Sequence, residues 1–393
     1  MRVESQKLSE FFNIGRDRGW DIERQVWTVN SLIDPEGRSF RLGDILDEGL
    51  PLDLPLVKSG NRYGYPPLRE RIIAAQGYTT IERDNVLVTL GTQLSNYLAL
   101  SVLLEPGDEA IIDAPSWEQP RVLCEAMHVN PRLIRRRPEL RWGIDLDELA
   151  SLITPKTKVI YLCQPNNPTG AVFSEADMAA ICALAAKTGI YVISDEIYRG
   201  LEWSGELSPA VVNLYERGVT TSSVSKTLGM SGTRLGWLAS QDHAVVEDCL
   251  NLKYYMTLHQ QSRLDETIAM AALEPDKYWS LVRGTMEAAR ANFDAVSRWM
   301  DTNGVFRWIP PAGGFLSFPS YDLDLPSWDL CVQLIEEPYR TYLIPGSCYG
   351  YEGHVRFGFG PSTPPARVET GMRQIDRFVA DFRAAHPALA ATA

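Results

Sequence analysis

The chain has 393 residues, of which 45% are hydrophobic and 22% are charged, and its formal net charge is -12. A chain of this length can form one large α/β domain and a smaller second domain. The acidic balance argues against nucleic-acid binding, because proteins of that class carry basic surfaces. The sequence contains no run of about 18 or more apolar residues, so it predicts no membrane-spanning helix.

The six cysteines are not spaced like metal ligands or like a disulfide framework. None forms a Cys-x-x-Cys pair, and none clusters with a histidine. The sequence therefore predicts free thiols, no metal site and a reducing compartment, the cytoplasm. Residues 1–50 lack the apolar core of a signal peptide. We interpret them as an arm that belongs to the small domain or to a dimer contact.

From residue 66 onwards, helical and strand-like segments alternate. Residues 66–73 begin with two prolines and predict the start of a helix, because proline is tolerated in the first turn. Residues 85–93 form a β-rich run that ends at Gly91, and a segment with helical apolar spacing follows. A strand, a glycine turn and a helix N-terminus together present backbone N–H groups to an anion. Thr92 adds a hydroxyl group to this predicted anion site.

The same pattern then repeats along the chain. Further strand-like runs cover residues 109–115, 158–165, 191–198, 219–226 and 234–240, and helical segments cover 119–127 and 174–187. Near-continuous apolar strands that alternate with helices predict an α/β fold, in which a mostly parallel sheet is covered on both faces. Functional groups are expected at the ends of such strands, where the loops lie.

The last third of the chain has a different pattern of predicted helices and strands. Residues 242–273 predict one or two helices, and residues 277–303 predict another. Short strands with prolines follow Gly304, and a helix over 364–384 precedes the C-terminus. This change predicts a second, smaller α+β domain. The predicted division is an arm at 1–50, a large domain at 51–285, a small domain at 286–385 and a tail at 386–393.

The densest basic run of the chain contains Arg132, Arg135, Arg136 and Arg137. Charge runs of this kind usually form a solvated face. We therefore expect these arginines on a surface strand or loop, without a special role.

One stretch, residues 222–237, suggests a particular chemistry. Lys226 lies among small hydroxylated residues, and Arg234 follows eight residues later on a glycine-rich run. A lysine that forms an imine with a carbonyl cofactor must be held still, partly desolvated and placed beside groups that bind a phosphate. The alternative is that Lys226 is an ordinary surface cation.

Other residues fit the same chemistry, although each also has a structural explanation. Asp195 ends an apolar strand, where a carboxylate is costly unless it is paired. It either caps a helix or holds the protonated nitrogen of a pyridine ring, which keeps that ring positive. Tyr198 follows three residues later and could reach a ring hydroxyl.

Three more residues belong to this set. Asn167 lies in an Asn-Pro-Thr-Gly turn, and Trp117 follows a strand end, where it could be part of the core or stack on a ring. Arg356 lies in an otherwise apolar strand, where an unpaired arginine would be expensive. A bidentate carboxylate, such as that of a substrate, would satisfy it.

Taken together, these motifs resemble those of the fold-type I pyridoxal-phosphate enzymes, within the class I/II aminotransferase group. The similar segments occur in the family's order between about residues 63 and 360, namely YGYPPLRERI, TLGTQ, DAPSW, CQPNNPTG, SDEIYRG, SSVSKTLGMSGTRLGW, PPAGGF and HVRFGFG. The resemblance implies a large domain with a mostly parallel, seven-stranded-type sheet between helices, and a smaller α+β domain. It also implies pyridoxal 5'-phosphate as the cofactor.

The resemblance assigns a role to each of these residues. Lys226 would form the internal aldimine and move the proton, Asp195 would pair with the pyridine nitrogen, and Tyr198 would bind the ring oxygen. Asn167 would also bind that oxygen, and Trp117 would stack on the ring. Asn167 and Trp117 would also border the substrate, and Arg356 would bind the α-carboxylate of that substrate. The residues expected around the cofactor phosphate are Gly91, Thr92, Ser223, Ser225 and Arg234, and Gln93 is a further cofactor-binding candidate.

The resemblance implies an aminotransferase that takes an L-amino acid and a 2-oxo acid and works through a Cα-carbanion (quinonoid) state. It also implies a homodimer with shared active sites. In one respect the chain departs from the family pattern: Ser59 stands where many relatives have a tyrosine that reaches the partner's phosphate, and Tyr63 is the nearest substitute. The departure keeps an alternative open, a lyase or cyclase that expels a β or γ group from a hydroxylated amino acid such as a hydroxyarginine. Capreomycidine synthase-like enzymes are relatives of that kind.

Overall fold

The computed structural model describes residues 7–17, 40–47, 49, 51, 53–54, 61–257 and 262–387. These residues divide into two compact units. The large unit comprises the described residues of 40–166 and 171–285. The small unit comprises residues 7–17, 167–170 and 286–387. The structure thus divides the predicted arm, since 7–17 lies in the small unit and 40–47 in the large unit. Ser59 and the tail residues 388–393 lie outside the described part of the chain.

The predicted helices are present in their predicted order, and further helices are present as well, among them Val224–Thr227, which begins inside the run predicted as a strand over 219–226. The helices are α1 (Lys7–Asp17), α2 (Leu42–Ile45), α3 (Pro66–Gln76), α4 (Thr92–Leu103), α5 (Gln119–Ala126), α6 (Leu146–Leu152), α7 (Glu175–Ala186), α8 (Val211–Leu214), α9 (Val224–Thr227), α10 (His243–Thr257), α11 (Arg263–Ala272), α12 (Pro275–Thr302), α13 (Ser327–Ile335) and α14 (Pro365–Ala385). Local sequence sets several of their ends. Two prolines occupy the first turn of α3, and Gly77 ends it in the left-handed conformation with φ 64°. Ser174 and Asp177 form a reciprocal capping box at the start of α7.

Each of the six strand-like runs predicted before residue 241 overlaps a strand, whereas the strand Asn130–Arg137 was expected only as a surface strand or loop. The strands are β1 (Val86–Thr89), β2 (Glu109–Ala114), β3 (Asn130–Arg137), β4 (Gly143–Ile144), β5 (Thr157–Cys163), β6 (Tyr191–Asp195), β7 (Gly218–Ser223), β8 (Gly236–Ser240), β9 (Phe306–Arg307), β10 (Leu316–Ser317), β11 (Ser320–Tyr321), β12 (Ile344–Pro345) and β13 (Val355–Gly358). Residues 242–273, predicted as one or two helices, form the two helices α10 and α11.

The large unit is built on one sheet with the strand order β1-β8-β7-β6-β5-β2-β3-β4. Neighbours from β7 through β6, β5 and β2 to β3 are parallel, whereas β8 and β4 run antiparallel to their neighbours. The α/β class with a mostly parallel sheet is therefore confirmed. The sheet has eight strands rather than seven, because the two-residue β4 adds to the edge beside β3.

Both faces of this sheet are covered, because successive residues of a buried strand point to opposite sides. In β5, Tyr161 joins the core that includes α4 and α10, and Ile160 joins the core that includes α7 and α8. Ile193 and Val192 of β6 divide in the same way. Two apolar layers therefore fix the sheet between helices.

The small unit contains two antiparallel sheets, ordered β10-β13-β12 and β11-β9, together with α13, α14 and the part of α12 from Met286 onwards. It also includes α1. Phe11 of α1 is fully buried and packs against Trp328 of α13 and against Tyr342, with ring centroids 5.4 and 5.3 Å away. The first described helix of the chain is therefore an integral part of the small unit.

The prediction for the basic run was wrong at one residue. Arg136 is 1% exposed and forms an ion pair with Asp113, with 2.7 Å between Nη2 and Oδ2. Its guanidinium also donates hydrogen bonds to the carbonyl oxygens of Trp142 and Cys163, each at 3.0 Å. A buried arginine requires such partners. A count of charges along the sequence did not show that the Arg136 side chain faces inwards.

All six cysteines are buried and none is paired, in agreement with the predicted free thiols. Within the described residues, no helix is both long and apolar enough to cross a membrane. The same part of the chain holds no group of three or more His, Cys, Asp or Glu side chains placed to bind a metal ion.

Candidate active site

Most of the predicted site residues of the large unit lie at one edge of its sheet. The strands β1, β2, β5, β6 and β7 end at this edge, and β8, which runs the opposite way, begins there. The loops after parallel strands are the usual position of a ligand site in such a sheet. The topology therefore brings together loops that are far apart in the sequence.

The corner formed by β1, α4 and β8 has the features of a phosphate site. Gly91 precedes α4 with φ 90°, and a Cβ atom added to it would lie 2.8 Å from Nη2 of Arg234. The Thr92 hydroxyl group is buried beside them and has no hydrogen-bond partner among the residues that the structure describes. Free N–H groups at a helix start, a guanidinium group and an unpaired hydroxyl all suit a bound phosphate.

Gly236 brings these parts into contact. It is the first residue of β8 and pairs with Thr89 of β1 and with Ser223 of β7. A Cβ atom at this position would lie 2.7 Å from the Cα atom of Gly91 and 2.8 Å from the carbonyl oxygen of Ser222. Backbone atoms on both sides cannot move aside easily, so the close approach requires glycine.

Lys226 lies on the short helix α9, directly after β7. Ser223 caps this helix, since its hydroxyl oxygen accepts a hydrogen bond from the backbone nitrogen of Ser225 at 3.3 Å. Lys226 is half-buried, and its neighbours Ser225 and Thr227 are buried. The lysine is thus partly desolvated and held on a capped turn, which are the conditions an imine-forming lysine needs.

Asp195 is held at the end of β6 by three hydrogen bonds. Its Oδ2 atom accepts from Nδ2 of Asn96 at 2.9 Å and from the Tyr161 hydroxyl at 3.1 Å. Its Oδ1 atom accepts from the backbone nitrogen of Ile197 at 3.2 Å. Burial raises the pKa of the Asp195 carboxyl, and these hydrogen bonds partly oppose that effect. A cationic ring nitrogen at this carboxylate would stabilise its charged form.

The sequence did not reveal the residues that orient Asp195. Asn96 and Tyr161 each donate a hydrogen bond to Asp195, and the Thr221 hydroxyl in turn donates to Oδ1 of Asn96 at 2.6 Å. A weak signal was present. Asn96 lies four residues after Thr92 in a largely apolar helix, and therefore on the same face.

The remaining predicted residues of the large unit lie on the loops of this region. Trp117 follows β2 and is only partly buried, so it lies outside the packed core and is available for stacking. Tyr198 is 7% exposed and lies three residues after Asp195. The Gln93 side chain is exposed, and its backbone carbonyl oxygen accepts a hydrogen bond from Gln119 at 2.9 Å. Tyr63, the suggested substitute at the position of Ser59, packs on the core of the large unit, with the Arg69 guanidinium 5.0 Å from its ring centre.

Arg356 and Asn167 belong to the small unit and are in direct contact. Arg356 is 2% exposed on β13, and its Nη1 atom donates to Oδ1 of Asn167 at 3.2 Å and to the Tyr349 hydroxyl at 2.9 Å. Its Nη2 atom is buried and has no hydrogen-bond partner within residues 7–17, 40–47, 49, 51, 53–54, 61–257 and 262–387. A buried, unpaired guanidinium nitrogen is costly, and a carboxylate would satisfy it.

These donor and acceptor groups fit pyridoxal 5'-phosphate. That molecule needs a lysine for its carbonyl group, a carboxylate for its ring nitrogen and an anion site for its phosphate. Lys226, Asp195 and the corner at Thr92 are groups of these three kinds. The buried Thr92 hydroxyl, which has no partner in the described part of the chain, is the clearest sign that a ligand atom belongs at this corner.

Solved structures and curated sequences are similar to this chain over most of its length. A PLP-dependent aminotransferase from Streptococcus suis superposes with a TM-score of 0.85 at 26% identity, covering 97% of this chain and 99% of that one. The aromatic-amino-acid aminotransferase 2 of Thermococcus litoralis is 26% identical over 336 residues, which are 83% of this chain and 85% of the relative. The aspartate aminotransferase of Thermotoga maritima is 29% identical over 330 residues, 82% of this chain and 84% of the relative.

The fold and the site define a PLP-dependent aminotransferase of fold type I. The family model for aminotransferases of class I and II matches residues 55–375, and the chain belongs to that family. All three relatives bear aminotransferase names, so they support transamination and lend no support to the lyase or cyclase alternative.

Proposed function

We propose that this aminotransferase takes the amino group from an L-amino acid whose α-carboxylate is bound by Arg356. The observation that carries the proposal is the buried Nη2 atom of Arg356, which has no hydrogen-bond partner among the described residues. A buried guanidinium group of this kind discriminates strongly for a planar anion. Both substrates of a transamination, the amino acid and the 2-oxo acid, carry such a carboxylate.

Other residues of the chain handle charge and protons. When bound, pyridoxal 5'-phosphate supplies a carbonyl group and an electron-withdrawing ring. Asp195 would hold the protonated ring nitrogen, because a buried carboxylate is most stable beside a positive charge. Lys226 would act as the base that moves the proton of the substrate's Cα atom. Asn167 and Tyr198 would bind the ring oxygen, and Trp117 would stack on the ring.

We further propose a homodimer with shared active sites in the cytoplasm. Class I/II aminotransferases are the precedent for the dimer, and six unpaired thiols suit a reducing compartment. In this proposal the cofactor domain is residues 51–285 without 167–170, and the small domain is residues 286–385 together with 167–170 and the helix at 7–17.

The reaction is tested by supplying purified holoenzyme with each of the twenty amino acids, ornithine and hydroxyarginine, together with 2-oxoglutarate or pyruvate. The amino acids carry ¹⁵N in the α-amino group. The expected result is ¹⁵N in the new amino acid, detected by mass spectrometry, together with a change in cofactor absorbance. A product that has lost water but kept its label would replace transamination by elimination or cyclisation.

The role of Lys226 is tested with Lys226→Ala. We expect this variant to lose the covalent attachment of the cofactor, and with it the visible absorbance band and trapping by borohydride. Lys158→Ala is the matched control, because Lys158 is an exposed lysine of the same unit. If Lys226→Ala still retained cofactor after borohydride treatment, another lysine would hold it.

A further inference from the structure

Two neighbours in the small unit fix the orientation of the Arg356 guanidinium. Its Nη1 atom donates to Oδ1 of Asn167 at 3.2 Å and to the hydroxyl oxygen of Tyr349 at 2.9 Å. Each terminal nitrogen of a guanidinium carries two hydrogen atoms, so these two acceptors occupy both hydrogens of Nη1. Nη2 is buried as well, yet it donates to no atom in the part of the chain that the structure describes.

The two terminal nitrogens are therefore not equivalent towards a ligand. A carboxylate at Nη1 would have to displace Asn167 or Tyr349, whereas one at Nη2 would satisfy a donor that has no partner. Arginine binds carboxylates through a planar edge, so the choice of edge also sets the direction in which the carboxylate lies. If Asn167 were the only acceptor, one hydrogen of Nη1 would remain free to bind a carboxylate. The Tyr349 hydroxyl occupies that hydrogen.

Tyr349 is itself rigidly held. It ends the 3-10 turn Gly346–Tyr349 and is 7% exposed. Its ring packs edge-to-face on Phe318, with 5.5 Å between the ring centroids. The helix α1 contacts the same turn. Because the Tyr349 hydroxyl is already fixed, it loses little conformational entropy when it orients the guanidinium. A fixed hydroxyl group is therefore effective at positioning Arg356.

We propose that Tyr349 is a positioning residue for substrate recognition: it selects the edge of Arg356 that meets the α-carboxylate, and so strengthens the preference for amino acids over amines that lack a carboxylate. This inference rests on the proposed role of Arg356. Tyr349 acts through Arg356 and not on the reacting bonds. Its removal should therefore weaken binding without slowing the chemical step.

The test uses Tyr349→Phe holoenzyme in single-turnover reactions. One series uses the best amino acid from the substrate screen, and the other uses the amine that remains when its carboxylate is removed. We expect the apparent Kd for the amino acid to rise about tenfold or more, because a hydrogen bond to a charged group is lost. The limiting rate should stay within about twofold, and the reaction with the amine should be unchanged.

Two further variants make the result decisive. Tyr351→Phe is the matched control, because Tyr351 also packs on Phe318 but is not a hydrogen-bond partner of Arg356. Arg356→Lys tests the role on which the proposal rests, and a variant that still prefers the amino acid would refute that role. If Arg356→Lys loses the preference but Tyr349→Phe keeps it, the positioning role is wrong. Equal losses with amino acid and amine in Tyr349→Phe would also contradict it, since they indicate a general structural effect.

Discussion

Asp195 and Glu196 are adjacent in the sequence but lie in different surroundings. Asp195 contacts Asn96 of α4, on one side of the sheet. Glu196 is fully buried, and its Oε1 atom accepts from the backbone nitrogen of Val211 at 2.9 Å and from the Thr220 hydroxyl at 3.1 Å. Side chains at the end of a strand alternate between its faces. Asp195 thus remains available to a ligand, whereas Glu196 faces into the protein.

Replacing Glu196 by Gln should change how stability depends on pH. Burial raises the pKa of Glu196 from 4.5 to about 7, so the folded protein holds that proton more tightly than the unfolded chain does. Its contribution to the free energy of unfolding is therefore largest below pH 4.5 and falls as pH rises to about 7. Over that range, we expect Glu196→Gln to gain about 3 kcal/mol relative to the wild type.

Urea unfolding of the wild type and the variant at several pH values between 4 and 8 measures this difference. Glu216→Gln is the control, because Glu216 is an exposed glutamate of the same unit. A stability difference that is constant across the range would contradict a raised pKa for Glu196.

At the scale of residues, the sequence singled out Asp195 and Arg356 as candidate site residues, but not the residues that hold them in place. Asp195 and Arg356 could be identified because each is a charge inside an apolar strand, which is unusual enough to require an explanation. Asn96 could not, because its contact with Asp195 spans 99 residues of sequence and depends on how α4 packs across the sheet. For Arg136 the error was different. This arginine was noticed as part of a basic run and was expected at the surface, because the run does not show which of its side chains points inwards.

At the scale of elements, the corner between β1, α4 and β8 depends on Gly236. Gly236→Ala should push β8 away from Gly91, because the new methyl group would lie 2.7 Å from the Gly91 Cα atom. We expect the apparent Kd for pyridoxal 5'-phosphate to rise about tenfold or more, since a small misplacement at a preorganised site costs that much. Equilibrium dialysis of the apoenzyme with the cofactor gives this affinity.

Gly232→Ala is the matched control for this corner. Gly232 is a nearby exposed glycine, and a Cβ atom added to it would meet no atom within 4 Å. It should bind the cofactor like the wild type. If Gly236→Ala also bound normally, the close approach of β8 to Gly91 would not be what builds the phosphate site.

Element positions were largely predictable from the sequence, because apolar runs and turn residues set them locally. The strand at 191–198 illustrates the remaining error, since β6 ends at Asp195 and the polar residues after it form the turn. The edge strand β4 was missed because two residues carry no periodic signal. Residues 167–170 were assigned to the large domain, whereas their contacts place them in the small unit, which no local pattern could indicate.

For the whole molecule, the order of the motifs in the sequence was enough to predict the class of enzyme. A contact between subunits could not be located in this way, because it depends on two matching surfaces. The face around the end of α10 is a specific candidate for such a contact. Tyr255 is 86% exposed, the highest value for a large apolar side chain among the described residues, and the next residue, Met256, is 46% exposed. Exposed aromatic and methionine side chains that lie together are typical of interfaces.

We therefore expect the wild type to sediment at equilibrium as a dimer of twice the 44.0 kDa chain mass. Tyr255→Ser should raise the dimer dissociation constant about tenfold, because large aromatic side chains contribute much of the binding energy at an interface. Leu207→Ser is the control, since Leu207 is also an exposed apolar residue, at 40%, in the same unit. A wild type that is monomeric at every concentration would contradict the homodimer itself. If Tyr255→Ser and Leu207→Ser both left the dimer intact, the homodimer would stand and only the face around Tyr255 would be excluded as the contact. This conclusion is possible because each variant removes a different apolar surface.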